Sequence, residues 1–318
     1  MRVRCFLVIL LMPWLTLPVA AADHPRVAVS IAPLHSWVSQ VSGDLWEPDL
    51  LLSAQVDPHN AILRPSQRQR VEQADWVVWV GPQLETGLEA LMRRVEPARK
   101  WTLTEDDVAL VRHEFRRAGE LFALPEESED HGLDIDFPGA EQALPRHGSG
   151  TDPHLWLDPE NAKRALAHIA DHLSELDPAN ARNYQANAES AIAQLTESAA
   201  VWQARLDAAE PRAYVVFHDG YQYFDRRFGL PFAGAITLNP EQLPGLRTIN
   251  EMRSAMADNT VGCLFAEVQY SDRLVATIGS GLDLDIQRLD ALGAAIEPGP
   301  DHYHQLMTDL VDSFASCA

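Results

Sequence analysis

The sequence predicts an α/β fold of two lobes. Each lobe is a parallel-type sheet covered by helices, with a long rigid interdomain helix joining them. Three observations carry this. Short apolar, β-branched segments alternate with helical ones in both the first and the last third of the chain, the pattern of strands whose faces are both covered. Between them Tyr184, Ala188, Ala191, Leu195, Ala199, Trp202 and Leu206 recur at spacings of three and four, an apolar stripe along one long helix. Finally, three histidines sit where apolar segments give way to turns, the place where α/β sheets build ligand clefts.

The first 22 residues stand apart. Arg2 and Arg4 precede the apolar stretch Phe6–Leu17, and Ala20-Ala21-Ala22 offers a small-residue cleavage site before Asp23. This is the form of a secretory signal peptide. Pro13 and Pro18 break the stretch, so it is too short for a membrane span of about 20 apolar residues. Cys5 lies too early to carry a lipid after cleavage, and a soluble exported protein is expected.

The first lobe is assigned to residues 23–157. Strands are expected at Val27–Ile31, Leu50–Leu52, Trp76–Val80 and Lys100–Leu103, with helices at Pro33–Val41, Pro65–Ala74 and Leu84–Val95. Residues 119–150 break the pattern. They are rich in Gly, Pro, Asp and Glu, a composition that buries no core and reads as a flexible acidic loop. His131 and His147 fall within it. Residues 158–210 form a helical region, with helices at Pro159–Leu176 and Ala179–Ala209. The second lobe is assigned to residues 211–318, with strands at Ala213–Phe217, Phe232–Ile236, Cys263–Val268 and Leu284–Leu289. Its helices are expected at Glu241–Ala257, Ser271–Ser280 and His302–Phe314.

The formal net charge is −21, which argues against nucleic acid or an anionic membrane surface as a partner. Of the 3 cysteines, Cys263 and Cys317 remain after cleavage. In an oxidising compartment a lone pair reads as one disulfide, tying the C-terminal tail to a core strand.

The tripeptide Asp-Pro-His occurs at Asp57–His59 and again at Asp152–His154. Proline stiffens the backbone ahead of each histidine. His218 closes the apolar run Tyr214–Phe217. Three imidazoles drawn from distant segments outline a zinc site, with one oxygen ligand completing a tetrahedron. Water and Asp290, just after the last expected strand, are the two candidates for that oxygen. Copper and nickel also bind imidazole tightly, whereas manganese prefers carboxylate and water. Asp57, Asp152 and Asp219 neighbour the histidines and could each accept a ring N–H; for Asp57 and Asp152 a turn or cap role is the plainer reading. Glu267 is the carboxylate expected to be buried near the cleft, where it holds a loop by hydrogen bonds. The sequence has no His-Glu-x-x-His helix, no Gly-x-Ser-x-Gly elbow and no Gly-rich phosphate loop, which speaks against a hydrolase.

These segments resemble the periplasmic zinc-binding component of bacterial high-affinity zinc-uptake ABC transporters. The resemblance rests on Asp57-Pro58-His59 with Leu63–Ser66 and Ala74–Pro82, on Asp152–Pro159, on Phe217–Phe224, on Leu289–Gly293, and on Cys263 with Ala315-Ser316-Cys317. It spans nearly the whole exported chain. It implies two α/β lobes bridged by a rigid helix, with limited closure around Zn²⁺. The ligands would be His59, His154 and His218, with water or Asp290, and the partner an inner-membrane ABC permease served by a periplasmic monomer. Manganese and iron relatives tend to carry glutamate where this chain has His218, so the zinc subgroup is implied. Two departures stand out. Some zinc members place a carboxylate where Pro58 stands, and the loop at 119–150 is acidic, not histidine-rich. The rival readings are a manganese or iron binder of the same architecture, a secreted zinc hydrolase, and an adhesin or zinc-buffering surface protein without a permease.

Overall fold

The structure is a computed structural model, and it describes residues 24–105, 108–116, 150–237, 240, 244–258 and 261–318. The segment read as a signal peptide, and the acidic loop with His131 and His147 apart from Gly150, lie outside the described residues. Among those described, no helix is long and apolar enough to cross a membrane.

The first sheet has the strands β1 (Val27–Val29), β2 (Asp49–Leu50), β3 (Trp76–Trp79) and β4 (Lys100–Thr102), all parallel, in the order β2-β1-β3-β4. Every residue of β1 and β3 is buried, as expected for a parallel sheet covered on both faces. Helix α1 (Ala32–Ser42) follows β1 directly. Ile31 is still extended, Pro33 sits in the first turn where its missing N–H costs nothing, and Gly43 ends the helix at φ 56°. Nearly all of α1 is buried, because neighbours close around it. Helix α2 (Pro65–Gln73) leads into β3.

The segment at 84–95 departs from the expected helix. It forms a short 3₁₀ turn at Thr86–Leu88 and one helical turn, α3 (Glu89–Met92). The cause is tertiary. Thr86 Oγ1 donates to the His59 carbonyl at 2.9 Å. Gly87 lies so close to the Ala61 carbonyl that a Cβ there would stand 2.2 Å from the oxygen. The segment is shaped to brace the turn carrying His59.

Helix α4 (Pro159–Leu176) begins at Asp158, whose side chain accepts the Glu160 amide. Helix α5 (Ala181–Ala209) is 29 residues long, roughly 44 Å at 1.5 Å per residue. Tyr184, Ala188, Ala191, Leu195, Trp202 and Leu206 are its buried face. That face packs on α4 and α1 and also on the last helix, α9 (His302–Ala315), so one rod touches both lobes.

The second sheet has β5 (Tyr214–His218), β6 (Phe232–Thr237), β7 (Cys263–Glu267) and β8 (Asp285–Leu289), parallel, in the order β6-β5-β7-β8. Helix α6 (Gln222–Phe228) follows β5 and ends at Gly229, φ 67°; the apolar pattern had not marked it. Helix α7 (Leu246–Asp258) starts later than expected, after Pro244 and Gly245. Helix α8 spans Asp272–Gly279.

Hydrogen bonds join the lobes. Tyr303 donates its hydroxyl to the Trp156 carbonyl (2.7 Å) and its amide to Ser36 Oγ (3.1 Å). Ser36 Oγ donates to the Pro300 carbonyl at 2.8 Å, and Trp156 Nε1 to the Ala291 carbonyl at 2.8 Å. Cys263, opening β7, is bonded to Cys317 beyond α9 across a sequence separation of 54. Closing a loop of that size restricts the unfolded chain, worth about 4 kcal/mol. Reduction should therefore lower the denaturation midpoint markedly, and mass analysis under non-reducing conditions should find neither Cys263 nor Cys317 as a free thiol. Two alkylatable thiols would contradict this.

Candidate metal centre

Both Asp-Pro-His tripeptides fold in the same way. Asp57 Oδ1 accepts the His59 amide at 3.0 Å, and Asp152 Oδ1 accepts the His154 amide at 3.0 Å. Each is an Asx turn, in which a carboxylate holds the amide two residues on. A short 3₁₀ turn adjoins each: Pro58–Asn60 includes Pro58 and His59, whereas Leu155–Leu157 begins just after His154. His218 arrives differently, as the last residue of β5. The turn read for Asp57 and Asp152 is thus present in both, and Asp152 also reaches the ring of its own histidine.

These three elements bring His59, His154 and His218 together. One ligand atom from each lies within 4.8 Å of the others, and the ring centroids are 5.2–5.7 Å apart. His154 and His218 are each only 4% exposed; His59 is half-buried. Among the described residues, no other group of three or more His, Cys, Asp or Glu side chains is placed to hold a metal ion.

Buried carboxylates fix the two inner rings. His154 Nδ1 is 2.8 Å from Asp152 Oδ1. His218 Nδ1 is 2.6 and 2.8 Å from the two oxygens of Glu267, which also accepts the His218 amide at 3.2 Å. A ring that donates its Nδ1–H to a carboxylate presents a lone pair at Nε2. The two Nε2 atoms face each other at 3.3 Å. Two ligands about 2.05 Å from one zinc ion at the tetrahedral angle stand about 3.3 Å apart, so the spacing fits that ion. The surrounding cavity of about 20 Å³, lined by His59, His154, Trp156, His218, Tyr270 and Leu292 among others, is large enough for one water molecule.

The pKa directions follow these contacts. Burial alone would raise the Asp152 carboxyl, but hydrogen bonds from His154 and from Gln222 Nε2 (3.0 Å) hold it below the ordinary range. Burial lowers His218, and the Glu267 charge and hydrogen bond outweigh it, leaving the ring above its ordinary value.

Two expectations differ from what is seen. Asp290 does not join the group. Its oxygens accept the amides of Leu292 (3.0 Å), Gly293 (2.9 Å) and Ala294 (2.5 Å), and Gln269 Nε2 at 2.9 Å. It shapes the loop that carries Ala291 and Leu292 to the cavity wall. Asp219 does not orient a histidine either. It pairs with Arg116, which also bonds Asp225 at 2.8 Å and lies 3.7 Å over the Phe232 ring. Burial pushes the Asp225 carboxyl up to about 6 despite that pairing. Glu267 takes the role that sequence neighbours suggested for Asp219. Strands β5 and β7 are adjacent, and only that pairing puts Glu267 beside His218. Arg116 and Gln222 carried no sequence signal, since their partners are remote in the chain.

A family model described as zinc-uptake complex component A, periplasmic (ZnuA) matches residues 27–317. The chain belongs to the ZnuA family. It is 35% identical over 314 residues to the high-affinity zinc uptake system protein ZnuA of Brucella abortus (strain 2308), covering 93% of this chain and 92% of that one. The ZnuA of Paracoccus denitrificans (strain Pd 1222) is 34% identical over 304 residues, covering 94% and 93%. A crystal structure of ZnuA superposes with TM-score 0.70 at 23% identity, covering 92% of this chain and all of that one. The periplasmic zinc-binding protein TroA from Treponema pallidum gives 0.70 at 18% identity, covering 92% and 99%. These structures share the two-lobe α/β fold. Membership makes the chain a periplasmic zinc-uptake component of the solute-binding kind and not an enzyme.

Carboxylate partners of metal-bound histidines typically contribute 10–100-fold in affinity. Asp152→Asn and Glu267→Gln should each weaken zinc binding by about that factor in a chelator-competition titration. An unchanged affinity in both variants would show that the carboxylates do not act through the rings.

Proposed function

We propose that this ZnuA-family protein captures Zn²⁺ through His59, His154 and His218, with water as the fourth ligand, and hands it to an ABC permease in the inner membrane. It would act as a monomer, exported by the segment 1–22. The observation that carries the reading is the pair of carboxylate-held imidazoles whose Nε2 atoms face each other at 3.3 Å. The family match to periplasmic zinc-uptake components supports the cargo, and Asp290, engaged with its own loop, is replaced by water in the fourth place.

Removing one of three ligands leaves two, and His154→Ala should raise the zinc dissociation constant by orders of magnitude while the fold stays intact. The decisive experiment titrates metal-free exported protein with Zn²⁺ and Mn²⁺ in competition, read by tryptophan fluorescence, since the Trp156 ring lies 5.3 Å from His154. Tight one-to-one zinc binding that manganese does not displace is expected. A preference for manganese, or an unchanged constant in the His154 variant, would refute the proposal.

Binding should also depend on pH. A protonated imidazole cannot ligate a metal. Because the pKa of His218 is raised above its ordinary 6.5, proton competition sets in at a higher pH than for an ordinary histidine. Zinc affinity should fall as pH drops through that window, about tenfold per pH unit for one displaced proton. A flat profile between pH 8 and pH 5.5 would count against His218 as a ligand.

A further inference from the structure

Gly220 lies two residues beyond His218, where the chain leaves β5 and turns across the metal-facing side of that ring. Its amide donates to the His218 carbonyl at 2.8 Å. A Cβ built on Gly220 would stand 2.5 Å from His218 Nε2, 2.7 Å from His218 Cε1 and 3.2 Å from His154 Nε2. These nearest atoms all belong to the two inner rings, and they include both facing nitrogens. Gly220 is also not among the glycines with positive φ, so its backbone conformation does not itself demand glycine.

The rings cannot yield freely. Moving His218 away from a new methyl would break its contacts to both Glu267 oxygens, and moving His154 would break its contact to Asp152. The position of the ion makes the conflict sharper. An ion about 2.05 Å from both Nε2 atoms lies on a small circle around their midpoint. From every point of that circle, the Cβ position is within about 3.5 Å. A methyl at 220 would therefore touch the ion or occupy the place of a ligand beside it.

We propose that Gly220 is an affinity-determining residue of the zinc site: glycine is required there because any side chain would enter the volume of the ion and its ligands. The requirement lies in the loaded site and not in the backbone. This inference rests on the reading that the three histidines bind zinc.

The test measures zinc affinity by chelator competition, with metal-free melting temperature, for the exported protein and for Gly220→Ala, Gly245→Ala and His154→Ala. Gly245 has no atom within 4 Å of a built Cβ and no positive φ, so it is a matched glycine control. Gly220→Ala should raise the zinc dissociation constant at least tenfold, and Gly245→Ala should leave it within twofold. A Gly220→Ala constant within twofold of the parent overturns the proposal. If His154→Ala loses binding in that same experiment, only the Gly220 inference falls; if His154→Ala binds normally, the zinc site itself falls. Should Gly220→Ala also lower the metal-free melting temperature, it must do so only while the ring is present: on a His218→Ala background, adding Gly220→Ala should lower the melting temperature no further. A further loss on that background would mean a backbone role and would likewise overturn the proposal.

Discussion

Two imidazoles, each held through Nδ1 by a buried carboxylate, bring their Nε2 atoms to 3.3 Å from one another, and with the Nδ1 protons on the carboxylate side both Nε2 lone pairs face one point. Lone pairs so placed repel, and water has little room to come between them. A cation is what resolves the arrangement. A proton on one ring lets it donate to the other, and a metal ion serves both at once. The site is therefore preorganised for positive charge, and its competition with protons follows from the same geometry.

The fold holds that geometry by independent means. Asx turns set His59 and His154, while β5 carries His218 to the carboxyl edge of its sheet. Each piece is braced from another part of the chain. Thr86 holds the His59 turn, and Gln222 and Tyr223 of α6 hold Asp152 through its side chain and carbonyl. Trp156 and Tyr303 couple the His154 turn to the second lobe. With α5 packed on helices of both lobes, movement of one lobe against the other would have to break several buried hydrogen bonds together. That favours a cleft that closes over a short distance.

The sequence made most of the architecture legible because each layer has its own period. Buried strands such as Trp76–Trp79 are apolar throughout, and the stripe on α5 repeats every three or four residues. His59 and His154 were legible because Asp-Pro-His is a local signal whose turn forms within the tripeptide, and His218 because it closes an apolar strand. What was hidden depended on partners far apart in the chain. Gly87 against Ala61 shortens a helix that local propensity favoured. The adjacency of β5 and β7 gives His218 its Glu267, whereas proximity along the chain had pointed to Asp219. Asp290 has the composition of a ligand, but the amides of its own loop occupy its oxygens, and no sequence pattern distinguishes those two uses of a carboxylate.

This distribution of carboxylates bears on which ion the site suits. The acidic groups around the cavity already have partners: Asp57 holds the His59 amide and Asn60, Asp152 and Glu267 hold imidazoles, Asp219 holds Arg116, and Asp290 holds its loop. The proposed ligand set is then three nitrogens and one small oxygen. An ion that demands several hard oxygen ligands in octahedral array would have to strip these carboxylates from buried hydrogen bonds, leaving donors unsatisfied at about 1–3 kcal/mol each. An ion content with four ligands and with imidazole pays no such cost. The two negative charges of Asp152 and Glu267, one ring removed from the ion, also match a divalent charge without entering its coordination sphere. On the proposed ligand set, selectivity for zinc over manganese would come from where the carboxylates are engaged, as much as from the histidines.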